Sequence, residues 1–248
     1  DGTREYKVLG ALAEAVKARS SDPAQWNRLK EIFASPSLQM ASFTITEKGY
    51  VLTDGKGEFL ASVQSDFEKG PERPASYIGR VASLLYARFL AGEKPIAMVS
   101  MDNCSHNGDK LYTAINTFAG KWEEKGLVKK GFQRYVNDKS RVSFPLTMID
   151  KITPRPDASV EKILKQDGIE DTAPVITAKN TYVAPFVNAE ECEYLVIEDV
   201  FPNGREALEK GGLMFTDRET VDKVEKMKVC TCLNPLHTAL AVFGCLLG

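Results

Sequence analysis

The run Ile96-Ala-Met-Val-Ser-Met101 constrains the fold more than any other part of the chain. It is continuously apolar or small, and the polar loop Asp102-Asn103-Cys104-Ser105-His106-Asn107-Gly108 follows it at once. An unbroken apolar strand, as opposed to an alternating one, marks burial on both faces, the habit of parallel sheets. After the loop, residues 109 to 125 read as an amphipathic helix with Leu111, Ile115, Phe118 and Trp122 directed inward. An earlier stretch repeats the order. Leu38 to Ile45 reads as a strand, Thr46-Glu47-Lys48-Gly49-Tyr50 as a polar loop, and a helix starting at Pro74 carries Ile78, Val81, Leu85 and Phe89 at helical spacing. Strand, polar loop and helix in alternation predict an α/β fold with a parallel sheet. Ligands of such sheets sit beyond the carboxyl ends of the strands, where both polar loops fall.

The remaining segments add detail. Tyr6 to Arg19 is helical in pattern, and Asp22-Pro23 opens a second helix with Trp26, Leu29, Ile32 and Phe33 on one face. Val51 to Gly57 reads as a hairpin turn. Its Gly55-Lys56-Gly57 lacks the third glycine and the strand–turn–helix context of a dinucleotide fingerprint. Phe144 to Pro154 is another short apolar stretch, Val175 to Phe186 and Tyr194 to Val200 read as strands, Pro202 to Arg205 as a turn, and Leu213 to Phe215 as a short strand.

A formal charge of −2 gives no basic field for nucleic acid or an anionic membrane. The five cysteines (104, 192, 230, 232 and 245) form an odd set without Cys-x-x-Cys spacing. A disulfide framework and a zinc site are therefore not expected, and a reducing, cytoplasmic compartment is. From the residues at its start, no signal peptide is expected. Cys104 and His106 stand too close in sequence to make a nucleophile and its base, and the Gly-x-Ser-x-Gly elbow of a serine hydrolase is absent.

The segment from Lys228 to Gly248 is almost wholly apolar, yet Lys228, Asn234 and His237 are embedded in it. By composition it imitates a membrane span. Asn234, Pro235 and His237 interrupt the run and no basic flank follows, so a buried core helix is expected, and its bare apolar end suggests a fragment. Asn234 and His237 are three apart and share a helix face. Lys228 lies six before Asn234, about 120° away on an ideal helix, and joins them only where the helix is bulged or begins near Lys228. A lysine in an apolar pocket is a competent general base, an amide can donate to a developing alkoxide, and a histidine can orient a hydroxyl. Together they describe metal-free removal of a proton from an alcohol, the proton half of a hydride transfer to a nicotinamide. Three unrelated caps and surface groups are the alternative, which spacing alone leaves open.

Four stretches then point to a family. Ser42-Phe-Thr-Ile-Thr-Glu-Lys-Gly-Tyr50 resembles S-x-T-[IV]-T-E-x-G-Y, and Met101-Asp-Asn103 with His106-Asn-Gly108 resembles C-D-N-x-x-x-N-G. Phe144-Pro145 through Met148-Ile-Asp150-Lys-Ile-Thr-Pro154 resembles F-P-x-x-M-[VI]-D-R-I-T-P, and Lys228 with Leu233-Asn234-x-x-His237 resembles K-x-R-x-L-N-x-x-H. In this order they are those of the mannitol dehydrogenase family, the long-chain polyol and hexuronate oxidoreductases, which the chain resembles from about Phe43 to Gly248.

The resemblance implies an NAD-dependent, metal-free enzyme acting on a polyol or sugar acid. It also implies a Rossmann-type domain followed by a mostly helical one, with the active site in the cleft between them. On this chain that gives residues 1–217 as the Rossmann-type domain without its nucleotide fingerprint, and residues 218–248 as the start of the helical domain. Lys228 would be the general acid/base, Asn103 and Asn234 would stabilise the alkoxide, and His237 would bind or orient substrate. Thr46, Glu47 and Asp102 would line the cofactor, and Asp150, with Asn103 and His237, the substrate. The Lys228-to-Asn234 spacing is one residue longer than the pattern, which keeps Lys226 as the fallback base. Within the family the wording is nearest to the branch that reduces fructuronate to mannonate. Mannitol 2-dehydrogenase and tagaturonate reductase remain open, as does a non-catalytic sugar-acid or nucleotide-binding module.

Overall fold

The structure, a computed structural model, describes residues 10–151, 153–177, 180–187, 189 and 194–247. It divides into two compact units, Asp1–Leu146 with Asp199–Ala207, and Thr147–Glu198 with Leu208–Gly248.

The first unit runs α1 (Pro23–Ala34), β1 (Met40–Phe43), α2 (Ala61–Lys69), α3 (Tyr77–Leu90), β2 (Ile96–Ser100), α4 (Asn107–Glu124), α5 (Phe132–Asn137) and β3 (Val142–Ser143). Its sheet has the order β1-β2-β3 and both pairings are parallel, with Phe43 opposite Ser100 and Ile96 opposite Val142. β2 lies at the centre and all of its residues are buried, as an uninterrupted apolar run requires. Leu111, Ile115, Phe118 and Trp122 of α4 are fully enclosed and join Ile78 and Leu85 of α3 in one core. Each such side chain contributes about 2–3 kcal/mol by leaving water. Local chemistry sets the helix starts. The Asp22 carboxylate accepts from the Gln25 amide at 3.3 Å, and the Ser76 hydroxyl accepts from Gly79 at 3.1 Å.

Arg88 is wholly buried. Its guanidinium donates to the carbonyls of Phe33, Ser35, Leu38, Lys94 and Pro95 at 2.6–3.0 Å. One rigid fork thus ties the turn after α1 to the turn before β2.

The helix expected over residues 6–19 does not form where it is described. Residues 10–19 are irregular, and Leu12 is 78% exposed. A short helix with no face to bury is marginal in water, so its periodic pattern alone does not hold it. Conversely, α2 and α5 form although no helix was expected there from the sequence. They are short, and tertiary burial of Val63 and Phe67 in α2, and of Phe132, Tyr135 and Val136 in α5, decides them.

The second unit contains β4 (Thr147–Asp150), α6 (Ala158–Gln166), β5 (Val175–Ile176), β6 (Tyr182–Val183), β7 (Tyr194–Glu198), β8 (Met214–Thr216), α7 (Arg218–Glu225), a π-helical segment (Lys226–Leu233) and α8 (Asn234–Leu247). The sheet order is β4-β7-β8. β4 is antiparallel to β7 and β8 parallel to it, so the second sheet is mixed. Where one strand was expected over Val175 to Phe186, β5 (Val175–Ile176) pairs antiparallel with β6 (Tyr182–Val183).

The expectation that the last segment is a buried core helix is corrected. Leu240, Phe243 and Leu246 of α8 are exposed by 72%, 61% and 73%, because nothing among the described residues covers that face. By length and composition the 30-residue helix Arg218–Leu247 could also cross a membrane, a test that core helices of soluble proteins pass equally.

Candidate functional site

In the first unit, both polar loops leave the carboxyl ends of neighbouring parallel strands. Thr46 lies three residues past Phe43 and Asn103 three past Ser100, and Phe43 and Ser100 are partners across the sheet. The loops are tied together by Asp102, which is buried. Its carboxylate accepts from the backbone N–H groups of Ile45 at 2.9 Å and Thr46 at 2.8 Å, and from the Tyr50 hydroxyl. With its proton given to Asp102, the Tyr50 oxygen accepts from the Ser100 hydroxyl at 2.7 Å. Burial, then the carboxylate beside it, pushes the Tyr50 phenol well above its usual range, so it remains a donor. These hydrogen bonds offset the cost of burying the Asp102 charge. Asp102 therefore acts here through the loop backbone that it holds.

Two features follow from that anchoring. Thr46 adopts φ 64° and ψ 161°, a region that essentially only glycine visits, and its amide is one of those bound to Asp102. A β-branched residue there stores on the order of 1–3 kcal/mol of strain, supplied by the surrounding bonds. After β2, the Asn107 amide donates to the Asp102 carbonyl at 2.9 Å while its oxygen accepts from Gly108 at 2.7 Å. A Cβ on Gly108 would come within 2.5 Å of the Pro145 carbonyl oxygen, so only glycine allows α4 to begin this close to the strand end.

Asn103 is exposed at the end of β2. Glu47, also exposed, is bonded to Lys110 of α4 at 2.7 Å. The two loops share one groove of about 510 Å³, lined by Glu47, Tyr50, Leu52, Phe59, His106 and Lys110 among others. That volume lies in the range of small-molecule sites.

In the second unit, Asp150 ends β4 opposite Tyr194, the first residue of β7. The Asp150 side chain lies outside the described part. The Lys228 ammonium sits over the Tyr194 ring, 4.0 Å from its centroid. Lys228 is half-buried. Asn234 and His237 are exposed on the first turn of α8.

The π-helical segment alters the angular relation of these residues. From Lys228 to His237 is nine residues, which on an unbroken α-helix leaves them about 180° apart. The i→i+5 bonding of Lys226–Leu233 lowers the turn to roughly 80° per residue and reduces the separation to about 80°. An eight-residue spacing, as in the family pattern, gives about 80° on a regular helix. The π-turn absorbs the extra residue. The Thr231 hydroxyl, donating to the Lys226 carbonyl at 3.1 Å, supports it. Lys226, the fallback base, is engaged elsewhere. Its ammonium pairs with Asp222 at 2.6 Å, which raises its pKa above the usual lysine value and keeps it protonated, so that less free amine is present to accept a proton.

Sequence reasoning did not single out Tyr50, Ser100 or Tyr194. For Tyr50, the burial of Asp102, which calls for donors, is seen only in the structure. For Tyr194 no local pattern existed.

Against known proteins, the family model described as "Mannitol dehydrogenase Rossmann domain" matches residues 8–210. The D-mannonate oxidoreductase of Thermotoga maritima is 51% identical over 250 residues, covering 100% of this chain and 46% of the relative. The mannitol 2-dehydrogenase of Cereibacter sphaeroides is 32% identical over 95% of this chain and 44% of its own length. Among solved structures, the Pseudomonas fluorescens mannitol 2-dehydrogenase ternary complex with NAD and D-mannitol superposes with a TM-score of 0.64 at 33% identity, over 84% of this chain and 38% of that one. The chain thus spans about half the length of the curated relatives that it matches. With its parallel sheet and its motif loops at the strand ends, the chain belongs to the mannitol dehydrogenase family.

Proposed function

We propose that this chain is part of an enzyme that moves a hydride reversibly between NAD(H) and a keto sugar acid, reducing fructuronate to mannonate. The observation that carries the reading is the identity, across the whole chain, to a D-mannonate oxidoreductase. The site chemistry supports it. The two loops at the carboxyl ends of β1 and β2 fit the nicotinamide end of the cofactor, because that edge of a parallel sheet is where nucleotides dock. Thr46, Glu47 and Asp102 would line it, and the strained Thr46 backbone is consistent with a position kept for function.

When bound, the nicotinamide supplies the hydride that reaches the substrate carbonyl carbon. In that direction Lys228 gives its proton to the carbonyl oxygen, so that one hydride and one proton convert ketone to alcohol. In the reverse direction the Lys228 amine takes the hydroxyl proton. The amides of Asn103 and Asn234 donate to the oxygen as it gains charge, and donors of this kind contribute about 3 kcal/mol each. His237 orients the substrate, Asp150 contributes to its binding, and the proton transfer uses no metal. The partner is a small sugar acid or polyol in the cytoplasm.

The test is NADH and NADPH oxidation by the full-length protein with fructuronate, tagaturonate and fructose. A preference for fructuronate of about a hundredfold in kcat/KM, near 2.7 kcal/mol of transition-state binding, is the expected result. Turnover of fructose alone reassigns the protein to mannitol oxidation with the same residues at work. Turnover of none of the three, with the protein folded, leaves a non-catalytic binding module and sinks the reading.

A further inference from the structure

We propose that Tyr194 is the positioning residue for Lys228, holding its ammonium on an aromatic platform so that the proton is delivered from a fixed place. This rests on the role given to Lys228 above. Lysine carries a flexible four-carbon stem, and at half-exposed positions it samples many rotamers. Here its ammonium is found 4.0 Å from the centroid of the Tyr194 ring, inside the range where the ring quadrupole attracts a cation.

The platform is rigid for a reason outside the helix. Tyr194 begins β7, whose residues Val196, Ile197 and Glu198 are buried, and it is locked in register opposite Asp150 of β4. The ring therefore links two sheet positions to a residue of the π-turn. That turn fixes the direction in which Lys228 leaves the helix, and the ring fixes where its ammonium ends. The sheet register places the backbone of Asp150 beside the same residue, so the acid/base group and a substrate-lining position are brought together by Tyr194.

The contact predicts a contrast between substitutions. Tyr194→Phe keeps the ring and should retain kcat within about twofold. Tyr194→Leu and Tyr194→Met should lower kcat about tenfold, some 1.4 kcal/mol of barrier, with KM for cofactor and substrate within about twofold of wild type. A second readout needs no turnover. Lys228 of the folded full-length protein is acylated with an N-hydroxysuccinimide ester and its rate followed by peptide mass spectrometry. It should react several times faster in Tyr194→Leu or Tyr194→Met than in wild type, and at the wild-type rate in Tyr194→Phe.

The proposal is overturned if Tyr194→Phe is as impaired as Tyr194→Leu, or if folded Tyr194→Leu and Tyr194→Met match wild type in acylation rate. Absence of wild-type turnover on every keto sugar, together with the acylation contrast, would overturn the function proposed above and leave the platform supported.

Discussion

Asp102 and Lys228 are both charged, both belong to motifs of the family, and the protein fixes them by opposite means. Asp102 is buried, and its carboxylate is surrounded by donors from the neighbouring loop, two of them backbone amides. Lys228 is half-buried, it leaves a π-helical turn, and its ammonium lies over the ring of Tyr194. The difference teaches what each arrangement can serve. A buried carboxylate with several donors resists movement, which suits a group that shapes a loop. A lysine held by a weak, non-directional cation–π contact can gain and lose a proton without dismantling the structure around it.

The comparison breaks if the two residues respond alike to substitution. Lys228→Met should remove about a thousandfold or more of turnover while thermal stability stays at the wild-type value, the behaviour of a general acid/base outside the core. Equal losses of activity and stability would remove that distinction. Asp102→Ala should lower unfolding free energy by about 3 kcal/mol in urea denaturation, since it leaves the Ile45 and Thr46 amides and the Tyr50 hydroxyl without their acceptor. A loss under about 1 kcal/mol would mean that water replaces the carboxylate and that the loop needs no anchor.

A finer test uses the strain that Asp102 sustains. Thr46→Gly relieves an unfavourable backbone geometry and should raise stability by about 1 kcal/mol while lowering kcat. A gain in stability with unchanged turnover would show that the strained residue has no part in the chemistry. The smallest effect concerns Tyr50, whose phenol has a raised pKa in the folded chain. Its stabilising contribution is complete below the unfolded tyrosine value of about 10 and is lost as pH climbs past it. Alkaline unfolding, followed by circular dichroism, should therefore be shallower in Tyr50→Phe than in wild type. An identical alkaline limb in both proteins would show that the Tyr50 proton is not coupled to folding.

Much of the first unit was legible in the chain itself. An unbroken apolar run announced β2 as a strand buried on both faces, and helical spacing of Leu111, Ile115, Phe118 and Trp122 announced α4. Asp22-Pro23 marked the start of α1. Short-range periodicity failed where burial decided the outcome. Residues 10–19 carry a helical pattern and remain irregular and largely exposed, whereas α2 and α5, which were not expected from the sequence, form against the core.

Of the candidate site, the sequence by itself determined the chemical groups and one geometric condition: Lys228 joins the face of Asn234 and His237 only where the helix is bulged or begins near Lys228. Helix periodicity is a local property, so that condition could be written from spacing alone. The tertiary structure decided the local geometry. It placed a π-turn at Lys226–Leu233, turned Lys226 to Asp222, and carried Tyr194 from another strand to the Lys228 ammonium. Likewise it converted Asp102 from a motif letter into the anchor of Thr46. Contacts between residues so far apart in the chain depend on sheet register and packing, and no periodicity within a single segment encodes them.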